Sequence, residues 1–279
     1  MTRRGVVLGG GGVAGIAWET GYLTGLAEAG RSVLDADLFV GTSAGSTVAA
    51  QVTSGVLLPE LYQRQVDPAL QTPELAAVLD GDAITDLFGS AYAGATGKLD
   101  ARRRVGALAL EAPTIPEPER RAVVAARLPK HSWPEAELRI VAVDAHSGEE
   151  RVFDRTSGVD LVDAVAASCA VPATWPPVTI GERRYIDGGI RSAENADLAL
   201  GCTRVLVLQV MEIPEPADLD EQVATLRADG ARVAVVRPDE SAKTALGPNL
   251  LDPAVRAPAA KAGYEQGLRE AADLAWFWA

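Results

Sequence analysis

The chain has 279 residues, of which 48% are hydrophobic, a composition that belongs to an ordered globular protein and excludes a disordered or fibrous one. Its 38 acidic residues against 26 basic ones give a formal charge of −12, a sign that repels phosphate backbones and speaks against nucleic-acid binding. The two cysteines, Cys169 and Cys202, are too few for a disulfide framework and read as buried free thiols, which favours a cytoplasmic protein with room for transient peripheral contact at a membrane.

Arg3 and Arg4 followed by the stretch to Trp18 resemble an export leader on the surface, but six glycines interrupt it and Glu19 closes it, so it is read as part of the fold. No apolar run approaches the roughly 18 residues of a membrane-spanning helix. Residues 5–8 predict a short buried strand entering the glycines at 9–12, and residues 13–29 a helix stopped at Gly30. Leu38 to Val40 predict a second strand and residues 44–54 the helix after it. Strand, tight turn and helix thus occur twice, which favours a layered α/β fold.

Residues 56–135 differ: eight prolines separate pieces with helical apolar spacing, such as 74–80 and 98–110. This region is expected to be a helical cover on one domain spanning 1–279, with Leu57, Leu58, Leu61, Leu87, Phe88 and the apolar residues within 105–110 lining an acyl pocket. Arg102, Arg103 and Arg104 are its densest basic run, read either as a head-group contact or as a solvated helix face. Strands resume at 138–143 and 151–153, joined at Ser147-Gly148, and a helix is expected at 160–168. A hairpin joins 178–180 to 184–186 through Gly181, strands follow at 204–210 and 231–236, and 254–278 is helical.

Gly41-Thr42-Ser43-Ala44-Gly45 matches the G-x-S-x-G nucleophile elbow, in which glycines either side of a serine let strand and helix approach closely while the hydroxyl projects from a strained turn. The five-residue pattern is weak alone, and its competing reading is an ordinary close-packed turn; the strand before it and the helix after it favour the nucleophile. A serine needs a base. His131 and His146 both look like exposed loop residues, and no histidine follows His146. Asp187, at the end of a strand-like segment and before Gly188 and Gly189, is the better candidate, although an aspartate closing a turn has the same local sequence.

Gly9 to Gly15 lies between a strand and a helix, where successive N–H groups can converge on one anionic atom. Gly10, Gly12 and Gly15 also satisfy the G-x-G-x-x-G of a dinucleotide fold, with Asp35 or Asp37 as its acid. A serine elbow so soon afterwards favours an oxyanion hole instead, without removing the nucleotide reading or that of a plain turn.

Taken in order, Gly10-Gly11-Gly12-Val13-Ala14-Gly15, Gly41-Thr42-Ser43-Ala44-Gly45 and Asp187-Gly188-Gly189 resemble the patatin-like phospholipases. Ala167 to Pro172, with Pro176-Pro177-Val178 and Tyr185-Ile186 before the aspartate, also looks like that family's segment. The resemblance implies a three-layer α/β/α sandwich with a mostly parallel central sheet. It further implies a Ser43–Asp187 dyad without histidine, and an oxyanion hole from Gly10, Gly11 and Gly12. The implied reaction is hydrolysis of lipid acyl esters through an acyl-enzyme, with no metal or cofactor required. A short-chain esterase or thioesterase with the same dyad, and an inactive lipid- or protein-binding relative, are the alternatives. One departure stands out: many members carry arginine where this chain has Ala14, which suggests a preference for neutral esters over anionic phospholipids.

Overall fold

Short Val- and Leu-rich stretches with apolar side chains at nearly every position pack well only when both faces are covered. The computed structural model, which describes residues 2–77, 89, 91–211 and 218–278, places eight strands in one sheet. They are β1 (Arg4–Leu8), β2 (Leu38–Thr42), β3 (Glu137–Asp144), β4 (Glu150–Phe153), β5 (Val178–Ile180), β6 (Arg183–Asp187), β7 (Arg204–Leu208) and β8 (Arg232–Val236). Of these, β1, β2, β3 and β7 are of this covered, apolar kind. Followed through hydrogen-bonded neighbours the sheet runs β5-β6-β3-β2-β1-β7-β8, with β2 and β6 on successive stretches of one edge of β3 and β4 on its other edge. From β3 to β8 all neighbours are parallel, whereas β4, β5 and β6 pair antiparallel.

Among the described residues the helices are α1 (Gly12–Glu28), α2 (Ala44–Val52), α3 (Leu58–Val66), α4 (Lys98–Glu111), α5 (Glu117–Arg127), α6 (Leu161–Ser168), α7 (Asp218–Ala228), α8 (Glu240–Leu246) and α9 (Arg256–Trp278). Successive strand residues face opposite layers. Val6, Leu8, Phe39, Leu206 and Leu208 join one apolar cluster with α1, α2, α6 and α9. Val7, Leu38, Val40, Val205 and Val207 join a second with Leu219, Val223 and Leu226 of α7. The result is the expected α/β/α sandwich. No helix of the described residues is long and apolar enough to cross a membrane.

The long helix α9 fixes α1 by backbone approach. A Cβ on Gly21 would lie 2.1 Å from the Ala260 carbonyl oxygen, and one on Gly267 2.3 Å from that of Tyr22. Side chains larger than hydrogen would push the helices apart and carry the glycine loop at the start of α1 with them.

Two expectations for the middle section change. Residues 74–77 are not helical, and the remainder of the 74–80 segment lies outside the described residues. Glu74 is instead drawn into a buried two-point ion pair with Arg127, at 2.8 and 2.6 Å. Conversely, the prolines at 116 and 118 do not break structure: they stand at the start of α5, where a missing N–H costs nothing and acidic Glu117 and Glu119 suit the helix dipole.

Candidate active site

The sheet register assembles the centre. β2 runs parallel along one edge of β3 until Thr42 faces Val141. β6 comes down the same edge from the opposite direction and stops with Asp187 facing Ala142. The other edge of β3 at these residues is taken by β4. The two strands therefore end head to head, and the residue after Thr42 is Ser43.

Ser43 has φ 52° and ψ −116°, a left-handed conformation unusual for a residue with a side chain and one that stores roughly 1–3 kcal/mol of strain. The flanking glycines allow it. A Cβ on Gly45 would sit 2.0 Å from the Leu8 carbonyl oxygen, and one on Gly41 2.5 Å from the Ser46 Cα. The turn is tied underneath by the Ser43 N–H donating to Ser168 Oγ at 3.0 Å, and by the Ser46 hydroxyl and the Cys169 thiol donating to the Ser43 carbonyl at 2.6 and 3.1 Å. Cys169 and Cys202 are both buried free thiols. Burial pushes the Cys169 thiol above its ordinary pKa, so it acts here as a packing and hydrogen-bonding group.

Asp187 is buried. Its Oδ1 accepts the Gly189 N–H at 2.7 Å, and the glycine between them is required because a Cβ on Gly188 would lie 2.3 Å from the Val141 carbonyl oxygen. Oδ2 has no formed hydrogen bond among the described residues. The Ser43 hydroxyl is near enough to favour the ionised carboxylate without closing a well-aligned bond to it. Burial dominates and raises the pKa to about 7, opposed by the Gly189 N–H, the Ser43 hydroxyl and the Arg120 charge.

The glycine loop abuts the serine: a Cβ on Gly10 would lie 3.7 Å from the Ser43 Cβ. The N–H of Gly10 is already committed to the Ala193 carbonyl at 2.8 Å, and that of Gly9 to Leu208 at 3.0 Å. Gly11 and Gly12 precede the first intrahelical bond of α1, from the Gly15 N–H to the Gly11 carbonyl, and their amides donate to no acceptor among the described residues. Gly12 has φ +60° and leaves no room for a side chain, its Cβ position being 2.6 Å from the Leu250 carbonyl oxygen.

Ser43, Asp187 and Gly10 to Gly12 line one cavity of about 160 Å³. Its apolar wall includes Val13, Ile16, Ile190, Met211, Leu250 and Leu251. Of the expected acyl-pocket residues, Leu57, Leu58 and Leu61 do not line it. Leu57 is 73% exposed at the start of α3, while Leu58 and Leu61 are buried in the main core. Val105 and Ala109 pack with Val143 and Ile186. Leu87 and Phe88 lie outside the described residues. From the middle section, the cavity takes Arg120 and Arg127 of α5.

Arg120 and Trp175 are site features that sequence reasoning passed over. Both are buried, and the Arg120 guanidinium carbon lies 3.8 Å from the Trp175 ring centroid. The signal was present: Arg120, Val124 and Arg127 recur on one helical face and form the buried stripe of α5.

His131 and His146 are exposed and do not line the cavity. Arg103 and Arg104 pair with Asp100 at 2.6 and 3.0 Å, which accounts for two of the three arginines of the basic run. Ala14 is fully buried in the main apolar cluster. Among the described residues, no group of histidine, cysteine, aspartate or glutamate side chains could hold a metal ion.

A family model described as patatin-like phospholipase matches residues 6–200. No curated protein matches the sequence. Among solved structures, the chain is similar to VipD from Legionella pneumophila, at 14% identity and a TM-score of 0.49, over 98% of this chain and 67% of that one. It is also similar to the type III effector protein ExoU, at 17% identity and a TM-score of 0.40, over 97% of this chain and 53% of that one.

Proposed function

Because this chain belongs to the patatin-like phospholipase family, we propose that it hydrolyses carboxylic esters of lipids, with Ser43 as nucleophile and Asp187 as general base. The family supports lipid hydrolysis in general; the dyad and its supporting groups are the reading offered for this chain. The observation that carries it is the head-to-head meeting of β2 and β6 on β3, which leaves the Oδ2 of a buried carboxylate unpaired beside a strained serine.

In this mechanism the Ser43 hydroxyl gives its proton to Asp187 Oδ2 as Oγ attacks the ester carbonyl. The tetrahedral oxyanion is held by the Gly11 and Gly12 amides at the positive end of α1, while Gly10 anchors the loop through Ala193. Collapse expels the alcohol, which takes the proton from Asp187 and leaves the acyl group on Ser43. Asp187 then accepts a proton from water, the resulting hydroxide attacks the acyl-enzyme, and the carboxylate product departs with Ser43 reprotonated. Burial serves the base here: a carboxyl with a pKa of about 7 is a far stronger proton acceptor than a solvated aspartate, and it needs no histidine between itself and the serine.

The test is labelling with a fluorophosphonate beside measurement of fatty-acid release from a panel of phospholipids and glycerides. The parent protein is expected to be labelled and active, and Ser43→Ala to be neither. Continued fatty-acid release by a folded Ser43→Ala protein would remove the proposal.

A further inference from the structure

The cavity that holds Ser43 is lined by buried donors without a partner among the described residues. Arg120 Nε and Nη1 and Trp175 Nε1 are buried and have no hydrogen-bond partner among the described residues. None of the three can accept a hydrogen bond. A buried arginine normally carries a carboxylate, as neighbouring Arg127 does with Glu74. Arg120 has no ion pair among the described residues, and stacking on Trp175 satisfies its charge without occupying those N–H groups. Asp187 feels the Arg120 charge but forms no bond with it. Burial lowers the Arg120 pKa to about 10, which keeps it protonated at neutral pH.

An acceptor-only group with several oxygens is the chemistry that completes this arrangement, because a guanidinium fork binds phosphate or carboxylate at two points. A neutral alcohol or glyceride would leave some of the donors unpaired in an apolar wall. We infer that Arg120 and Trp175 form an anion subsite inside the catalytic cavity, which takes a phosphate or carboxylate group carried by the acyl substrate. This rests on the reading of the same cavity as the place of ester hydrolysis. The positive charge that Ala14 does not supply from the glycine loop thus comes from α5, and the substrate class shifts from neutral esters to anionic ones. Leu250, Leu251 and Met211 in the same wall provide the apolar surface for the attached chain.

The experiment is calorimetric titration of the Ser43→Ala protein with octyl phosphate, octanoate, octanol and inorganic phosphate. At least one of the octyl anions is expected to bind tenfold or more tightly than octanol. Arg120→Met in the same background should abolish that preference, Trp175→Phe should weaken it, and Arg120→Lys should restore part of it. Inorganic phosphate should bind more weakly than octyl phosphate. Unchanged preference in Arg120→Met, or octyl anions binding no better than octanol, would overturn the subsite. Inorganic phosphate binding as tightly as octyl phosphate would overturn its assignment to the substrate and give it to the free ion. Should Arg120→Met not fold, Arg120→Lys and Trp175→Phe carry the same comparison. The titrations need no turnover, so failure of Ser43 as nucleophile would show separately, as hydrolysis surviving Ser43→Ala.

Discussion

Thr42 and Asp187 face consecutive residues of β3, Val141 and Ala142, from strands that run in opposite directions along the same edge. This relationship gives the serine and the carboxylate their proximity without any long side chain or loop having to reach across. It also explains why both motifs are rich in glycine. Each chain must turn away sharply from β3 and its neighbours, and Gly41, Gly45 and Gly188 all pass within steric contact of backbone.

Asp187 should impose its own pH dependence. Its folded pKa is raised to about 7 from an ordinary value of 3.8, so kcat/KM on a neutral ester should rise with pH and level off above about 7. Glu194, whose burial also raises its pKa to about 7, packs beneath Gly9 and titrates in the same range. Glu194→Gln should keep the inflection if Asp187 is its source. Asp187→Asn should lose at least about 10²-fold in rate, as expected for removal of a general base. Stability should move the other way. The folded protein holds the Asp187 proton more tightly than the unfolded chain does, so ionisation costs stability progressively from about pH 4 to 7, and fully above that. Asp187→Asn should therefore gain Tm relative to the parent as pH rises from 4 to 8, with a ceiling on the order of 4 kcal/mol from the roughly three-unit shift. A Tm difference that stays flat across that range would say that Asp187 ionises freely.

What the sequence revealed of this site was local. The elbow and the glycine loop are legible because a left-handed turn or a backbone contact restricts the residue at one position, and Ser43 and Gly12 bear those restrictions. The strand pattern was legible through burial instead, since Val6-Val7-Leu8 and Val205 to Leu208 are covered on both faces and leave continuous apolar runs. The meeting of β2 with β6 was not, because register between strands about 140 residues apart is set by packing of the whole sheet. The role of Leu58 and Leu61 was not legible for a related cause: they are apolar enough for either core or cleft, and tertiary structure puts them in the core. Arg120 escaped because the prolines before it read as a break, when they begin the helix that carries it.

The glycines of the two motifs should differ sharply in tolerance. Gly45→Ala places a methyl group 2.0 Å from a backbone oxygen of β1, which cannot move without shifting the strand. Loss of at least about 3 kcal/mol, at the upper end for overpacking, is expected, with loss of activity. Gly10→Ala meets nothing closer than 3.7 Å. It should fold with a Tm within a few degrees of the parent and keep its N–H to Ala193. Thermal melts of the two variants side by side check the contrast; equal destabilisation would mean that the loop packs differently.

Ala14→Arg is the substitution that the family pattern suggests for adding charge to the glycine loop. The packing argues against it. Ala14 is fully buried in the main apolar cluster, and its N–H is held by Leu250 at 3.0 Å. A guanidinium there has no partner and must either displace the core or stay desolvated, at a cost of several kcal/mol. The expected outcome is a lower Tm and reduced turnover of neutral and anionic esters alike. A stable variant with selectively improved phospholipid turnover would show that position 14 opens toward the substrate.

Asn195 should act on catalysis through position alone. Its amide nitrogen donates to Thr42 Oγ1 at 3.0 Å, to the Ser192 carbonyl at 2.7 Å and to the Gly188 carbonyl at 3.3 Å, and its oxygen accepts from Arg191 at 2.7 Å. It therefore ties the residue before Ser43 to the residue after Asp187, although it does not line the cavity. Asn195 also has φ 56°, so a side-chain deletion to alanine would add left-handed strain to the loss of hydrogen bonds. Asn195→Gly avoids that strain and isolates the clamp. Buried partners left unsatisfied should cost about 1–3 kcal/mol of stability. If Asp187 is the base proposed for Ser43, loosening one relative to the other should lower kcat about tenfold, because small misplacements of reacting groups weigh heavily on rate. KM should change little, since the substrate-facing wall is untouched. Steady-state kinetics on a soluble ester, with thermal melts, separate the possibilities: a Tm loss with unchanged kcat would make Asn195 a structural residue, whereas a kcat loss with steady KM would make it the link that holds the dyad in register.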